Sequence, residues 1–207
     1  MKKILRIDCS PRGQASESYR LSQAIADHLA RRYPEAELLD RQLSIDTMAH
    51  VDADYAAVLG GMKPPTGIEQ RGTLAESERL IRELEDTDGL IIGTPMHNYT
   101  VPSALKAWID HIVRVHRTFR PTPQGKIGTL RDRPTFIAIS SGGTYSGEPP
   151  RQPDFLTPYL TAILNTVGIR DIAFFSMQGS AYGAEAAHNA RIAAYASVED
   201  HFAAVST

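Results

Sequence analysis

The run "GLIIGT" at residues 89–94 constrains this chain more than any other stretch. It is apolar without alternation, the pattern of a strand covered on both faces in the interior of a parallel sheet. Four more segments have strand character: "KILRID" (3–8), "AELLDRQL" (36–43), "PTFIAIS" (134–140) and "DIAFFSM" (171–177). Helical patterns separate them. Residues 17–33 place Leu21, Ile25 and Leu29 at four-residue steps, and 74–88 puts Leu80, Ile81 and Leu84 on one face. Residues 102–115 carry Pro102 in the first turn, where proline is tolerated. Residues 153–168 stop at Gly168, and 184–202 close the chain. Strands separated by helices need crossover connections, so the prediction is an α/β three-layer, doubly wound, five-stranded parallel sheet. Residues 44–73 hold Pro64, Pro65, four glycines and a short helical piece around 52–59. They read as an insertion in a single domain spanning 1–207.

In such sheets a ligand binds in the crevice beyond the carboxyl ends of the strands. That rule selects the loops after residues 8, 94, 140 and 177. The first, "CSPRGQASES" (9–18), offers the hydroxyls of Ser10, Ser16 and Ser18 at the start of a helix, whose outward N–H groups suit a phosphate. The plain alternative is a hydroxyl-rich helix cap. Glu17 is out of place there, since a carboxylate repels phosphate. The dinucleotide fingerprint and the P-loop pattern are both absent. Cys9 lacks an arginine six residues on, Ala15 standing there, so it reads as a strand-end packing residue.

The second loop, "GTPMHNYT" (93–100), sets Met96, His97, Asn98 and Tyr99 at a strand end. Its backbone N–H groups and the Asn98 amide can pair with the edge of a flat heterocycle, and Met96 and Tyr99 can cover a face. His97 is either a contact or an ordinary surface histidine. The third, "SSGGTYSGE" (140–148), uses Gly142 and Gly143 for close backbone approach beside Ser140 and Ser141. Arg114, Arg117, Arg120, Lys126, Arg131 and Arg133 crowd residues 114–133. They read as a solvated charged face, or as a landing place for an anionic cosubstrate. Trp108 reads as a packing or interface residue.

The net charge of -2 among 207 residues gives no electrostatic case for nucleic acid or anionic membrane. The scattered histidines form no trusted metal-ligand spacing. No window approaches a membrane span, and Arg6 and Asp8 interrupt the N-terminal apolar run, against a signal peptide. One cysteine fits a reducing compartment. These readings point to the cytoplasm.

Ser10, the Ser16-x-Ser18 pair, "PMHNY" followed by "LKAWID", "SSGG", "TPYL" (157–160) and "AYG" (181–183) together resemble the bacterial FMN-dependent NAD(P)H azoreductases and quinone reductases. The resemblance spans nearly the whole chain. It implies a flavodoxin-like homodimer with the site at the dimer interface. It places the flavin phosphate at Ser10 and at Ser16, Glu17 and Ser18. It places the isoalloxazine ring at Met96, His97, Asn98 and Tyr99, and at Ser140, Ser141, Gly142 and Gly143. The implied reaction passes two electrons from NADH or NADPH through FMN to a quinone or azo acceptor by a ping-pong mechanism. No side chain need act as nucleophile or base, and His97 is a candidate proton donor. Near the partner subunit, the resemblance suggests a role for Tyr99, Phe119 or Trp108. The family often has Tyr in place of His97, Gln in place of Glu17 and Arg in place of Ser141. A flavodoxin-like electron carrier or an FMN-binding regulator is the alternative. The basic stretch 114–133 and the length of the chain favour the enzyme.

Overall fold

A computed structural model describes residues 1–43, 48–59, 72–147 and 149–204. Five strands, β1 (Lys3–Asp8), β2 (Glu37–Gln42), β3 (Gly89–Pro95), β6 (Thr135–Ser140) and β7 (Ile172–Met177), form one parallel sheet in the order β2-β1-β3-β6-β7. Chain order reverses between β1 and β3, and in sheets of this winding the crevice opens there. The five strands fall where the apolar runs predict them. Within 44–73, the short helix α2 (Ala53–Leu59) matches the predicted piece, while 44–47 and 60–71 lie outside the described residues.

Period-two alternation divides the strands between two cores. Leu5, Ile7, Leu90, Ile92, Ile137 and Ile139 share a cluster with α3 (Gly72–Glu85), α4 (Ser103–Ile112) and α5 (Thr157–Val167). Ile4, Ile91, Phe136 and Ala138 share the opposite cluster with α1 (Glu17–Arg32) and α6 (Ala184–Ala204). Three layers result because β3 is apolar on both faces.

The caps follow from residue chemistry. Ser16 Oγ accepts the Tyr19 N–H at 3.1 Å and starts α1, with Glu17 in the first turn and Arg31 and Arg32 in the last, each sign suited to its end of the dipole. The start predicted for α5 at 153 is corrected to Thr157. Asp154 Oδ1 accepts the N–H groups of Leu156 and Thr157, holding 153–156 as a capping turn. Helix α4 ends at Ile112 rather than 115. A two-stranded antiparallel ribbon, β4 (Phe119–Thr122) with β5 (Gly125–Gly128), was not predicted, since four-residue strands around a Pro-Gln pair carry too short a pattern.

On β1, Arg6 and Asp8 face α1 and are almost fully buried. Arg6 Nε lies 2.7 Å from Asp8 Oδ2 and donates to Ser22 Oγ at 3.2 Å, while its guanidinium stacks 4.2 Å from the Tyr19 ring centroid. Ser22 donates to Asp8 Oδ1 at 2.8 Å. This network ties the end of β1 to the first turns of α1, directly behind the first loop.

Candidate functional site

The first loop leaves β1 with the Cys9 N–H donating to Gly93 O at 3.0 Å, which holds the loop against the end of β3. The chain then makes a tight turn, Gly13 N–H to Ser10 O at 3.0 Å and Ser16 N–H to Gly13 O at 3.0 Å, before entering α1. Ser10, Ser16 and Ser18 are buried, with Ser16 Oγ 3.3 Å from Ser18 Oγ. Ser10 Oγ accepts the Arg12 N–H at 3.3 Å and Ser16 Oγ the Tyr19 N–H at 3.1 Å, so both hydroxyls also take part in the turn and the cap. Among the described residues, the N–H groups of Glu17 and Ser18 have no protein acceptor, so the helix start still offers two donors to an anion. The Glu17 carboxylate is turned away to Arg191 on α6, 2.7 Å from Nη2, with Arg20 3.1 Å off. The Arg191 hydrogen bond outweighs partial burial and holds its pKa below the ordinary glutamate range.

The second loop is a two-residue turn rather than an extended row. The His97 N–H donates to Thr100 O at 2.9 Å and the Thr100 N–H to His97 O at 3.0 Å. Asn98 and Tyr99 between them have φ of 48° and 70°, the geometry of a type I′ turn. Asn tolerates that region, whereas for a tyrosine it costs backbone energy. The N–H groups of Asn98 and Tyr99 meet no acceptor among the described residues, and His97, Asn98 and Tyr99 are exposed. A strained turn thus presents two free donors and an aromatic ring at the carboxyl end of β3.

The third loop lies alongside. The Met96 N–H donates to Ser140 O at 2.8 Å, and the Ser141 N–H to Met177 O at 2.9 Å. The loop after β7 closes over it, with the Ala181 N–H to Gly142 O at 3.0 Å and the Gly179 N–H to Gly143 O at 3.2 Å. The structure thus brings Met96 together with Ser140 and Ser141, and "SSGG" together with "AYG". The donor set fits a group with a phosphate at one end and a flat, hydrogen-bonding ring at the other.

The model of the family described as having a flavodoxin-like fold matches residues 2–202. An FMN-dependent NADH:quinone oxidoreductase 4 from Pseudomonas fluorescens is 48% identical over 187 residues, covering 90% of this chain and 88% of its own. The chain belongs to the FMN-dependent NADH:quinone oxidoreductase family. A second member, FMN-dependent NADH:quinone oxidoreductase 5 from Burkholderia lata, is 41% identical over 87% of each chain. Among solved structures, an azoreductase from Bacillus anthracis superposes with a TM-score of 0.84 at 20% identity, over 98% of this chain and 99% of its own. An FMN-dependent NADH-azoreductase of Bacillus anthracis in complex with FMN gives 0.77 at 24% identity over the whole of both chains. At those identities the superpositions establish the flavodoxin-like fold, which agrees with the predicted class.

Within this family member, several sequence expectations need correction. Residues 114–133 are not a uniformly solvated face. Arg114 and Arg133 are buried, Arg114 and Arg117 both pair with Glu78, and Arg117 also pairs with Glu85 at 2.5 Å. Arg133 donates to the carbonyls of Leu84 and Thr87, and Arg131 Nη2 lies 2.6 Å from Asp88. Arg120 and Lys126 on the ribbon are exposed. Trp108 and Phe119 are buried within the chain, Trp108 in the core as the packing reading has it, while Tyr99 is exposed. Cys9 needs no correction: it is buried, donates to Gly93 O at 3.1 Å, and has its thiol pushed by burial up to about 12, so it packs at the strand end as expected.

Sequence reading missed Gln152. Its amide nitrogen donates to Met96 Sδ at 3.0 Å and to Ser141 Oγ at 2.9 Å, joining the second loop to the third. No periodicity marks it, since it lies in an irregular segment well past the end of β6. The only hint is the adjacent glycine pair, which leaves room for a side chain arriving from elsewhere.

Proposed function

We propose that this chain is an FMN-dependent NADH:quinone oxidoreductase that also reduces azo compounds. One observation carries the reading. Free backbone donors at the start of α1 and free donors in the strained 97–100 turn flank the switch point between β1 and β3. The activities named for the relatives agree with it. In this reading the N–H groups of Glu17 and Ser18, with Ser10 and Ser16, hold the FMN phosphate. Met96, His97, Asn98 and Tyr99 hold the ring on one side, and Ser140, Ser141, Gly142 and Gly143 hold it on the other. Bound FMN supplies the two-electron chemistry, and the protein supplies position and electrostatics. Asn98 and Tyr99 fix the ring edge through their N–H groups, and Tyr99 shields one approach. His97, exposed beside them, hydrogen-bonds the acceptor or holds a proton for it. NADH and acceptor use the same open face in turn, which is a ping-pong order. The working unit is a single domain over 1–207, acting as a cytoplasmic homodimer in which a second copy covers the exposed Tyr99 side. Among the described residues no helix is long and apolar enough to cross a membrane.

Titrating the apoprotein with FMN tests the binding half of this reading. Quenching of flavin fluorescence to a one-to-one endpoint is the expected result. Steady-state rates with NADH across a panel of quinones and azo dyes test the other half. Parallel lines in double-reciprocal plots are expected for both acceptor classes.

A further inference from the structure

We infer that Gln152 is a positioning residue that sets the width of the crevice between the 96–99 turn and the 140–143 loop, and so the fit and reduction potential of the bound flavin; this rests on the flavin reading above. The carboxamide stands between the two loops. Its nitrogen donates to one side-chain acceptor on each, Met96 Sδ at 3.0 Å and Ser141 Oγ at 2.9 Å. Both acceptors belong to residues whose backbones are pinned to the sheet, Met96 to Ser140 O and Ser141 to Met177 O. The two walls also meet directly, through the Met96 N–H to Ser140 O and with Ser141 Oγ 3.8 Å from Met96 Sδ, and the carboxamide braces that meeting from the side-chain side.

The segment that carries Gln152 is itself tied to both walls. The N–H groups of Arg151 and Gln152 donate to Thr144 O at 2.9 and 3.1 Å, and the Phe155 N–H donates to Tyr99 O at 3.1 Å. Residues 151–155 thus run as a strap from the third loop to the strained turn. Gly143 belongs to the same arrangement. A Cβ there would collide with Gln152 Oε1 and lie 2.8 Å from its Cδ, so the carboxamide needs a residue without a side chain at 143. Among the described residues Oε1, which packs against Gly143, has no donor, so one acceptor is left for a ring N–H. Such an acceptor favours whichever oxidation state of the ring carries the N–H, which is how a side chain that transfers nothing shifts a potential.

The test compares the FMN-loaded wild type with Gln152→Ala and Gln152→Glu. The glutamate keeps the size of the side chain and loses both N–H donors. FMN affinity is read by fluorescence titration, the two-electron midpoint potential by dye equilibration, and fold by thermal unfolding of the apoproteins. Each lost hydrogen bond has modest net worth, so both variants are expected to bind FMN about tenfold more weakly. They are also expected to shift the midpoint potential measurably, with the apoprotein still unfolding cooperatively and its Tm lowered only as far as two intramolecular hydrogen bonds of modest worth require. A Ser141→Ala background is expected to shrink the effect of Gln152→Ala, because the bridge is already half broken. Wild-type affinity and potential in both variants would overturn the inference while leaving the flavin reading intact. A wild-type protein that takes up no FMN would overturn that reading and this inference with it.

Discussion

Gly93 on β3 sits against the buried carboxylate of Asp8 on β1, so closely that a side-chain carbon at 93 would collide with Asp8 Oδ1 and lie 3.0 Å from Ser22 Oγ. The carboxylate cannot yield, because Ser22 and Arg6 hold it. Gly93→Ala is therefore an overpacking substitution beside a buried charge, expected to cost about 1–3 kcal/mol. Thermal unfolding should show a Tm lower by roughly 2–10 °C. Burial, only partly offset by Arg6 and Ser22, pushes the Asp8 pKa up to about 6. A raised carboxylate pKa means the folded state holds the proton more tightly, so this group's contribution to stability falls as pH rises from about 4 to about 6 and is flat above. The difference between wild type and Asp8→Asn should change through that window and nowhere else.

Arg191 on α6 holds Glu17 away from the donors at the start of α1. Arg191→Ala frees a carboxylate one residue from the proposed phosphate cradle. FMN affinity should fall by about three- to tenfold, the scale of a partly screened charge near a helix N-terminus. Adding Glu17→Gln should restore it. Fluorescence titration of the single and double variants checks both steps, and failure of the second substitution to rescue would mean that Arg191 acts by another route.

The fold was legible for a simple reason. β3 is apolar on both faces, and Leu21, Ile25 and Leu29, like Leu80, Ile81 and Leu84, fall on single helical faces, so period alone separated strands from helices. The loops of the site were legible by position, since the crossover rule names the carboxyl ends before any contact is known. Other features are tertiary facts. Glu17 finds Arg191 across 174 residues, Arg114 finds Glu78 across 36, and Gln152 reaches Met96 across 56. No local pattern encodes such meetings. The type I′ turn was hidden because tyrosine is a poor residue for positive φ, and the turn holds it there against local preference.

That strain gives its own prediction. Tyr99→Gly relieves a tyrosine at φ 70° and should stabilise the fold or leave it unchanged, within about 1 kcal/mol of wild type. The same change removes the exposed ring at the crevice. Weaker FMN binding and lower kcat/KM for quinones, alongside an undiminished Tm, are the expected combination, read by calorimetry and steady-state assay.

Glu78 on α3 anchors Arg114 and Arg117. Partial burial pushes its pKa up, but the two guanidinium groups prevail and bring it down to about 2. Its stabilising contribution is then fully present above the ordinary glutamate range and is lost as pH falls toward 2. Glu78→Gln should lower Tm at pH 7, and the gap between variant and wild type should narrow steadily below about pH 4.

The most direct test of the central claim is an anaerobic spectrum of the FMN-loaded protein, taken before and after NADH and again after a quinone. NADH should bleach the visible absorbance of the oxidised flavin, and the quinone should restore it. A protein that binds FMN but is not bleached by NADH would be a carrier rather than a reductase, and would contradict the account.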